Sequence, residues 1–183
     1  MGPGMLAAVK RVELRRPTGV RWVPGAHRGA GVLVLAGSTS HWSLGGRPLP
    51  FVAFDESWQP DGDPPAFRSL YLRSRNADPA AAAAAAIAVE RIPRVITVVG
   101  ADDQVWPSDL HAENIRARRA AHGLRTTAVA DGEAGHRAVL PGEPVVSGGV
   151  PMRRGGTETA DRRLGHLAWA EMLPLLHSGP APS

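Results

Sequence analysis

Apolar positions in this chain fall into short blocks separated by glycine, proline and charge. In residues 1–30, Val9-Val12-Leu14 and Val20-Trp22-Val23 flank Pro17-Thr18-Gly19 and predict two short N-terminal strands. Gly31-Val32-Leu33-Val34-Leu35-Ala36-Gly37 is continuously apolar and closed by glycines, so residues 31–40 are assigned to a strand buried on both faces, as in a parallel sheet. Residues 41–70 hold Gly45-Gly46, Pro48, Pro50, Pro60, Pro64 and Pro65, with Trp42, Phe51, Phe54, Trp58 and Phe67 among them. That segment predicts an irregular loop pinned by aromatic side chains, with a helix starting near Tyr71. Ala80 to Ala88 has the strongest helix propensity in the chain, and Asp78-Pro79 is its start signal.

The second half is more regular. Val95-Ile96-Thr97-Val98-Val99 predicts a second buried strand, ended by Gly100. Ala101 to Pro107 forms a loop, Ser108 is placed as the cap of a helix reaching about His122, and Gly123 stops it. Thr126 to Ala130 is a third strand, leading into the loop Asp131-Gly132-Glu133-Ala134-Gly135-His136. Gly148-Gly149 and Gly155-Gly156 bracket a stretch read as flexible. The last helix carries Leu164, Leu167, Ala168, Met172 and Leu175 on one face, with a kink expected at Pro174. Across residues 90–178 the order is strand, loop with Asp, helix, strand, loop with His, helix. That is an α/β signature.

Composition narrows the class. A chain of 183 residues with 21 Gly and 17 Pro is one loop-rich domain with a thin core. No stretch has the length of a membrane span, and Met1 to Arg16 reaches charge at Lys10 before an apolar core forms, so neither membrane insertion nor a signal peptide is expected. The expected compartment is the cytoplasm. Of 21 basic residues Lys10 is the only lysine, yet 17 acidic residues are interspersed and no basic block is longer than a pair such as Arg118-Arg119. Nucleic-acid binding is therefore not expected, because it needs clustered charge and a recognisable motif. The absence of cysteine excludes disulfides, thiolate metal sites and a cysteine nucleophile together. His27 and His41 lie in loops, His122 sits at a helix end, and His111, His166 and His177 are read as helix-surface residues. None pairs in a metal-binding helical spacing, so no metal or cofactor is expected.

The candidate chemistry lies in the two post-strand loops. Ligands in open parallel sheets bind beyond the carboxyl ends of the strands, where Asp102-Asp103 and His136 fall. A carboxylate there fixes the tautomer of an imidazole acting as base, and acid before histidine is the chain order of α/β-hydrolases. The plainer reading makes Asp102-Asp103 turn and helix-start residues and His136 a surface histidine.

The local spelling is more specific. Val99-Gly100-Ala101-Asp102-Asp103-Gln104-Val105-Trp106-Pro107-Ser108 resembles the acid loop of the C-terminal domain shared by acyl-CoA thioester hydrolases and bile-acid-CoA:amino-acid N-acyltransferases. His41 to Phe51 resembles that family's W-x-x-x-G-x-P-L-P segment, Ala81 to Ile92 its helix ending in I-x-V-E-R-I, Gly132 to His136 its histidine loop, and Gly148-Gly149 with the final helix its tail. The likeness runs from about residue 41 to 178. It implies a partial α/β-hydrolase fold, a mostly parallel sheet flanked by helices, with Asp103 as triad acid and His136 as base. The implied substrate is a small-molecule acyl thioester or ester, acyl-CoA included.

The family's nucleophile elbow has no full counterpart. Only Ala36-Gly37-Ser38-Thr39-Ser40 follows a strand with small residues, and Trp42, Gly45-Gly46 and Pro48 preclude the helix an elbow requires. Ser38 is the candidate nucleophile, with backbone N–H groups at Gly37 and Ser38 as the candidate oxyanion hole. Two alignments account for this: an internal block missing between about Ser38 and His41, the preferred reading, or loss of everything before the aromatic segment. The family's separate N-terminal sandwich domain has no counterpart in either, so the whole chain, 1–183, is read as one truncated hydrolase-like domain. The strands at 32–36 and 95–99 would pair directly to close the gap, or a second copy would cover it as a homo-oligomer. Three functions follow: an Asp-His hydrolase or acyltransferase, a catalytically inactive remnant serving as an interaction module, or, least favoured, Arg-mediated binding of an acidic partner.

Overall fold

The structure, a computed structural model, describes residues 43–44, 47–145 and 150–177. The strands expected in residues 1–30 and 31–40 lie outside the described residues, as do Gly37 and Ser38. The first described ladder is minimal: β1 (Ser43–Leu44) pairs antiparallel with β2 (Arg47–Pro48).

No helix or strand interrupts the chain from there to Phe67, as its proline content dictates. Side chains fasten it instead. Asp55 Oδ1 accepts the N–H and hydroxyl of Ser57 at 2.9 and 2.6 Å, and Arg73 Nε donates to Asp55 Oδ2 at 2.9 Å. Trp58 Nε1 donates to Ser69 Oγ at 2.9 Å, and the Phe54 ring meets Tyr71 edge-on at 5.2 Å. Helix α1 (Arg68–Ala77) begins inside the segment expected to be loop through residue 70. Leu70 and Ser74 turn inward, and Arg68 reaches Asp109 through two bonds of 2.8 and 2.9 Å, which anchors the first turn.

Helix α2 (Pro79–Ala84) starts where Asp78-Pro79 signals, with Asp78 Oδ1 accepting the Ala81 N–H at 2.8 Å. It ends at Ala84 rather than Ala88. None of its residues is buried, and propensity without packing sustains only marginal helix. A 3₁₀ turn, Val89–Arg91, follows and is anchored by buried Val89.

Strands β3 (Ile96–Gly100) and β4 (Thr127–Asp131) form a parallel pair, Ile96 opposite Thr127 through Gly100 opposite Asp131. Helix α3 (Ser108–Ala121) is the crossover between them. Ser108 is not its cap. Pro107 holds that position, and the Ser108 hydroxyl donates to the Gly100 carbonyl at 3.3 Å, tying the start of the helix to the end of the strand. Gly123 stops the helix as expected, at φ +71°, with its N–H on the Ala120 carbonyl at 2.9 Å.

Helix α4 (Glu158–His177) packs on both strands, and the main core gathers Val129, Ala134, Ala160 and Leu164, with Ile96 and Ala138 against them. Leu164 and Ala168 are buried, but Leu167 is 48% exposed and drops out of the expected face. Gly165 takes the inner position, where a Cβ would stand 1.8 Å from the Val139 carbonyl oxygen. The helix continues through Pro174 to His177. Val98 is also exposed, against the expectation of a strand buried on both faces. Among the described residues the parallel sheet has two strands, a narrower platform than such a run of apolar residues implies.

The amino end of this sheet is knit by Arg119, which is wholly buried. Its guanidinium donates to the carbonyls of Val89, Ile92 and Arg125 at 2.6, 2.5 and 2.8 Å, and to Thr126 Oγ1 at 3.1 Å. Five forked donors let one side chain satisfy acceptors that loops before both strands leave open. The carboxyl end is thereby left to other work.

Candidate functional site

Parallel pairing sends β3 and β4 to the same edge, so the loops that follow them meet there. Asp103 and His136 are the residues brought together. His136 Nδ1 lies 3.1 Å from each carboxylate oxygen of Asp103. Asp103 is buried, its side chain 2% exposed, whereas His136 is 28% exposed. The carboxylate is held by its own loop: Asp103 Oδ1 accepts the N–H groups of Val105 and Trp106 at 2.8 and 3.1 Å. Such an Asx-type turn follows from an aspartate just after a strand, so the plain reading of Asp103 as a turn residue and its pairing with histidine both hold.

Asp102 points elsewhere. Its Oδ2 accepts the N–H of Gly156 at 2.7 Å and its Oδ1 the side-chain amide of Gln104 at 2.7 Å, and these bonds hold its carboxyl below the usual aspartate range. It ties the acid loop to the segment before α4. The two adjacent aspartates therefore face different partners.

Three backbone segments interlock around the pair. The Arg154 carbonyl accepts N–H bonds from Gln104 at 3.3 Å and His136 at 2.9 Å, joining acid loop and histidine loop. Asp102 N–H donates to Ala134 at 2.9 Å, and Thr157 N–H to Glu133 at 3.2 Å. Gly155-Gly156, which closes the stretch expected to be flexible, forms a close-packed clasp. Both residues have φ +69°, and a Cβ on Gly156 would fall 2.1 Å from the Gly135 nitrogen. Backbones at that separation leave no room for any side chain, which is why glycine stands there.

Trp106 supplies the wall. Its ring meets His136 edge-on at 5.5 Å, His111 at 6.1 Å and Tyr71 at 6.1 Å. His111 is therefore half-buried against Trp106 rather than on the helix surface. Burial, then the nearby Arg75 charge, pushes its imidazole below the usual histidine range.

Sequence reasoning also missed the roles of four charged residues near this edge. Asp131, at the end of β4, accepts Arg163 Nε and Nη2, the shorter contact being 2.5 Å, and Arg163 also reaches Glu133 at 3.0 Å. Asp161, in the first turn of α4, accepts the Gly135 N–H at 2.7 Å. Its signal was present in Thr157, whose hydroxyl caps α4 by accepting the Ala160 N–H at 3.2 Å and so fixes where that turn begins. An open depression of about 470 Å³ beside the pair is lined by Ala101, Asp102, Gly132, Glu133, Gly156 and Thr157, and neither Asp103 nor His136 lines it. Among the described residues no group of three His, Asp or Glu side chains is placed to hold a metal ion. No helix among them is long and apolar enough to cross a membrane.

A small parallel sheet flanked by helices, with a buried carboxylate and a histidine joined at its carboxyl edge, defines an α/β domain with an acid–histidine pair. Residues 67–177 match the family model described as BAAT / Acyl-CoA thioester hydrolase C terminal, and the chain belongs to that family. The match contains Asp103 and His136 and starts at the end of the aromatic, proline-rich segment, at Phe67. No curated protein matches the chain at a significant level.

Proposed function

We propose that this chain is an α/β-hydrolase-like domain whose Asp103–His136 pair serves attack on an acyl thioester or ester. The observation that carries the reading is the 3.1 Å approach of His136 Nδ1 to a carboxylate buried and held by two backbone N–H groups. A carboxylate on Nδ1 keeps the Nδ1–H tautomer, so Nε2 presents the lone pair that accepts a proton. The carboxylate then stabilises the imidazolium, which returns the proton to the leaving thiol or alcohol. Asp103 orients, His136 transfers, and Trp106 limits the tilt of the ring.

The attacking group in this reading is Ser38, with the N–H groups of Gly37 and Ser38 receiving the developing oxyanion. Family membership supports an acyl-CoA-like small molecule as substrate. The test is intact-mass labelling of the full chain with a fluorophosphonate, followed by peptide mapping. A single adduct at Ser38, lost in a folded His136→Ala variant, is the expected result. A folded wild-type chain that takes no label would sink the serine mechanism and leave the non-catalytic interaction module.

A further inference from the structure

We infer that Asp161 is a positioning residue for the Asp103–His136 pair, setting the histidine loop by gripping it on both sides of His136. The role rests on the functional reading just given. The side-chain grip is the Gly135 N–H on Asp161 Oδ1 at 2.7 Å, one residue before the histidine. The backbone grip is the Val139 N–H on the Asp161 carbonyl at 3.0 Å, just beyond it. His136 itself donates its N–H to Arg154 at 2.9 Å. Of the bonds that hang this loop from α4, Asp161 thus makes the one just before His136 and the one just beyond it, while Arg163 holds the loop's start at Asp131 and Glu133.

The placement is not one that helix chemistry alone would choose. An aspartate in a first turn interacts with the helix dipole equally well from a solvated position. Asp161 instead turns inward, where burial and the Asp131 and Asp103 carboxylates raise its pKa, while the Gly135 N–H and the His136 ring act the other way. The groups facing it come from β4, the acid loop and the histidine loop together. A carboxylate kept where its ionised form is disfavoured needs a compensating donor, and Gly135 is that donor. A Cβ on Gly135 would stand 2.2 Å from the Gly155 carbonyl oxygen, so the clasp packs directly on the loop's backbone at this bond.

The test reads the hydrogen-bonded imidazole proton by NMR on the ¹⁵N-histidine-labelled full chain, with amide exchange at Gly135. Wild type is expected to show a downfield Nδ1 proton and a protected Gly135 amide. Asp161→Ala should lose the downfield proton and speed Gly135 exchange at least about tenfold, the scale of one lost hydrogen bond. Asp161→Asn, which keeps the acceptor oxygen without the charge, should restore both. A folded Asp161→Ala chain with the proton unchanged overturns the positioning role and leaves the pair intact. If the Ala variant does not fold, an unprotected Gly135 amide in wild type, or loss of the proton in the Asn variant, overturns it. A wild-type chain without the downfield proton sinks the Asp103–His136 pair, and the positioning role with it.

Discussion

Gly155 lies so close to Asp102 that a Cβ on it would stand 1.7 Å from the Asp102 carbonyl oxygen. The obstacle is backbone, which cannot rotate away as a side-chain tip can. The acid loop is therefore shaped by a residue more than fifty positions downstream, and the geometry around Asp103 depends on it as much as on its own turn.

Replacing that glycine separates steric from conformational cost. Gly155 and Gly123 both have positive φ, +69° and +71°, but a Cβ on Gly123 meets nothing within 4 Å. Gly123→Ala should cost about 1 kcal/mol, the left-handed penalty for an L residue. Gly155→Ala should cost about 3 kcal/mol or more, because backbone must shift as well. Urea unfolding of both variants measures the difference. Equal losses would mean that the clasp yields easily.

The two aspartates should behave differently. Asp103→Asn retains an acceptor for Val105 and Trp106 but can donate its amide to Nδ1 and so favours the wrong imidazole tautomer. Acyl-transfer activity should fall about 10³-fold or more with little change in melting temperature. Asp102→Asn leaves the Asp103–His136 contact in place and should lower activity by about tenfold at most, at the level of one loosened loop hydrogen bond. Steady-state rates on a chromogenic thioester, with melting curves, check the contrast.

Arg119 makes a stability prediction far from the site. Its guanidinium is buried and faces carbonyl oxygens of Val89, Ile92, Pro93 and Arg125. Arg119→Leu would leave several of these buried acceptors empty and should cost about 3 kcal/mol or more. Arg119→Lys should recover only part of that, since one ammonium cannot reproduce the fork. Chemical denaturation of both variants provides the measurement.

His111 predicts a component of acid sensitivity. Burial lowers its folded pKa, so the native state binds its proton less readily than the unfolded chain does. Its contribution to stability is therefore fully present above the unfolded value, about 6.5, and is lost as pH falls toward the depressed folded value. His111→Phe keeps a ring against Trp106 without a titrating group. Between pH 7 and pH 5 the variant should lose less stability than wild type, by urea midpoints across the range. An identical slope would contradict the assignment.

Local chemistry in the sequence determined much of this protein. The strands at 96–100 and 127–131 follow from β-branched runs ended by turn residues, within a residue of where the pattern put them. Asp78 and Gly123 act where short-range cap rules place them. Asp102-Asp103 and His136 could be placed at one edge in advance because a parallel pair brings successive post-strand loops there, while the choice of Asp103 over Asp102 came from the family resemblance.

Tertiary structure decided the rest, through contacts between segments distant in sequence. The Ala-rich run stopped early with none of its helical residues buried, which no propensity records. Gly155-Gly156 resembles a flexible linker until the backbone it must touch is in place, and His111 a surface residue until Trp106 folds against it. Arg119 reads as one more arginine on a charged helix, and Asp161 as an ordinary first-turn acid. Their roles belong to the carbonyls and N–H groups that other segments bring within reach. The hydrogen bond between Asp161 and Gly135, twenty-six residues apart, leaves no mark in the local pattern around either.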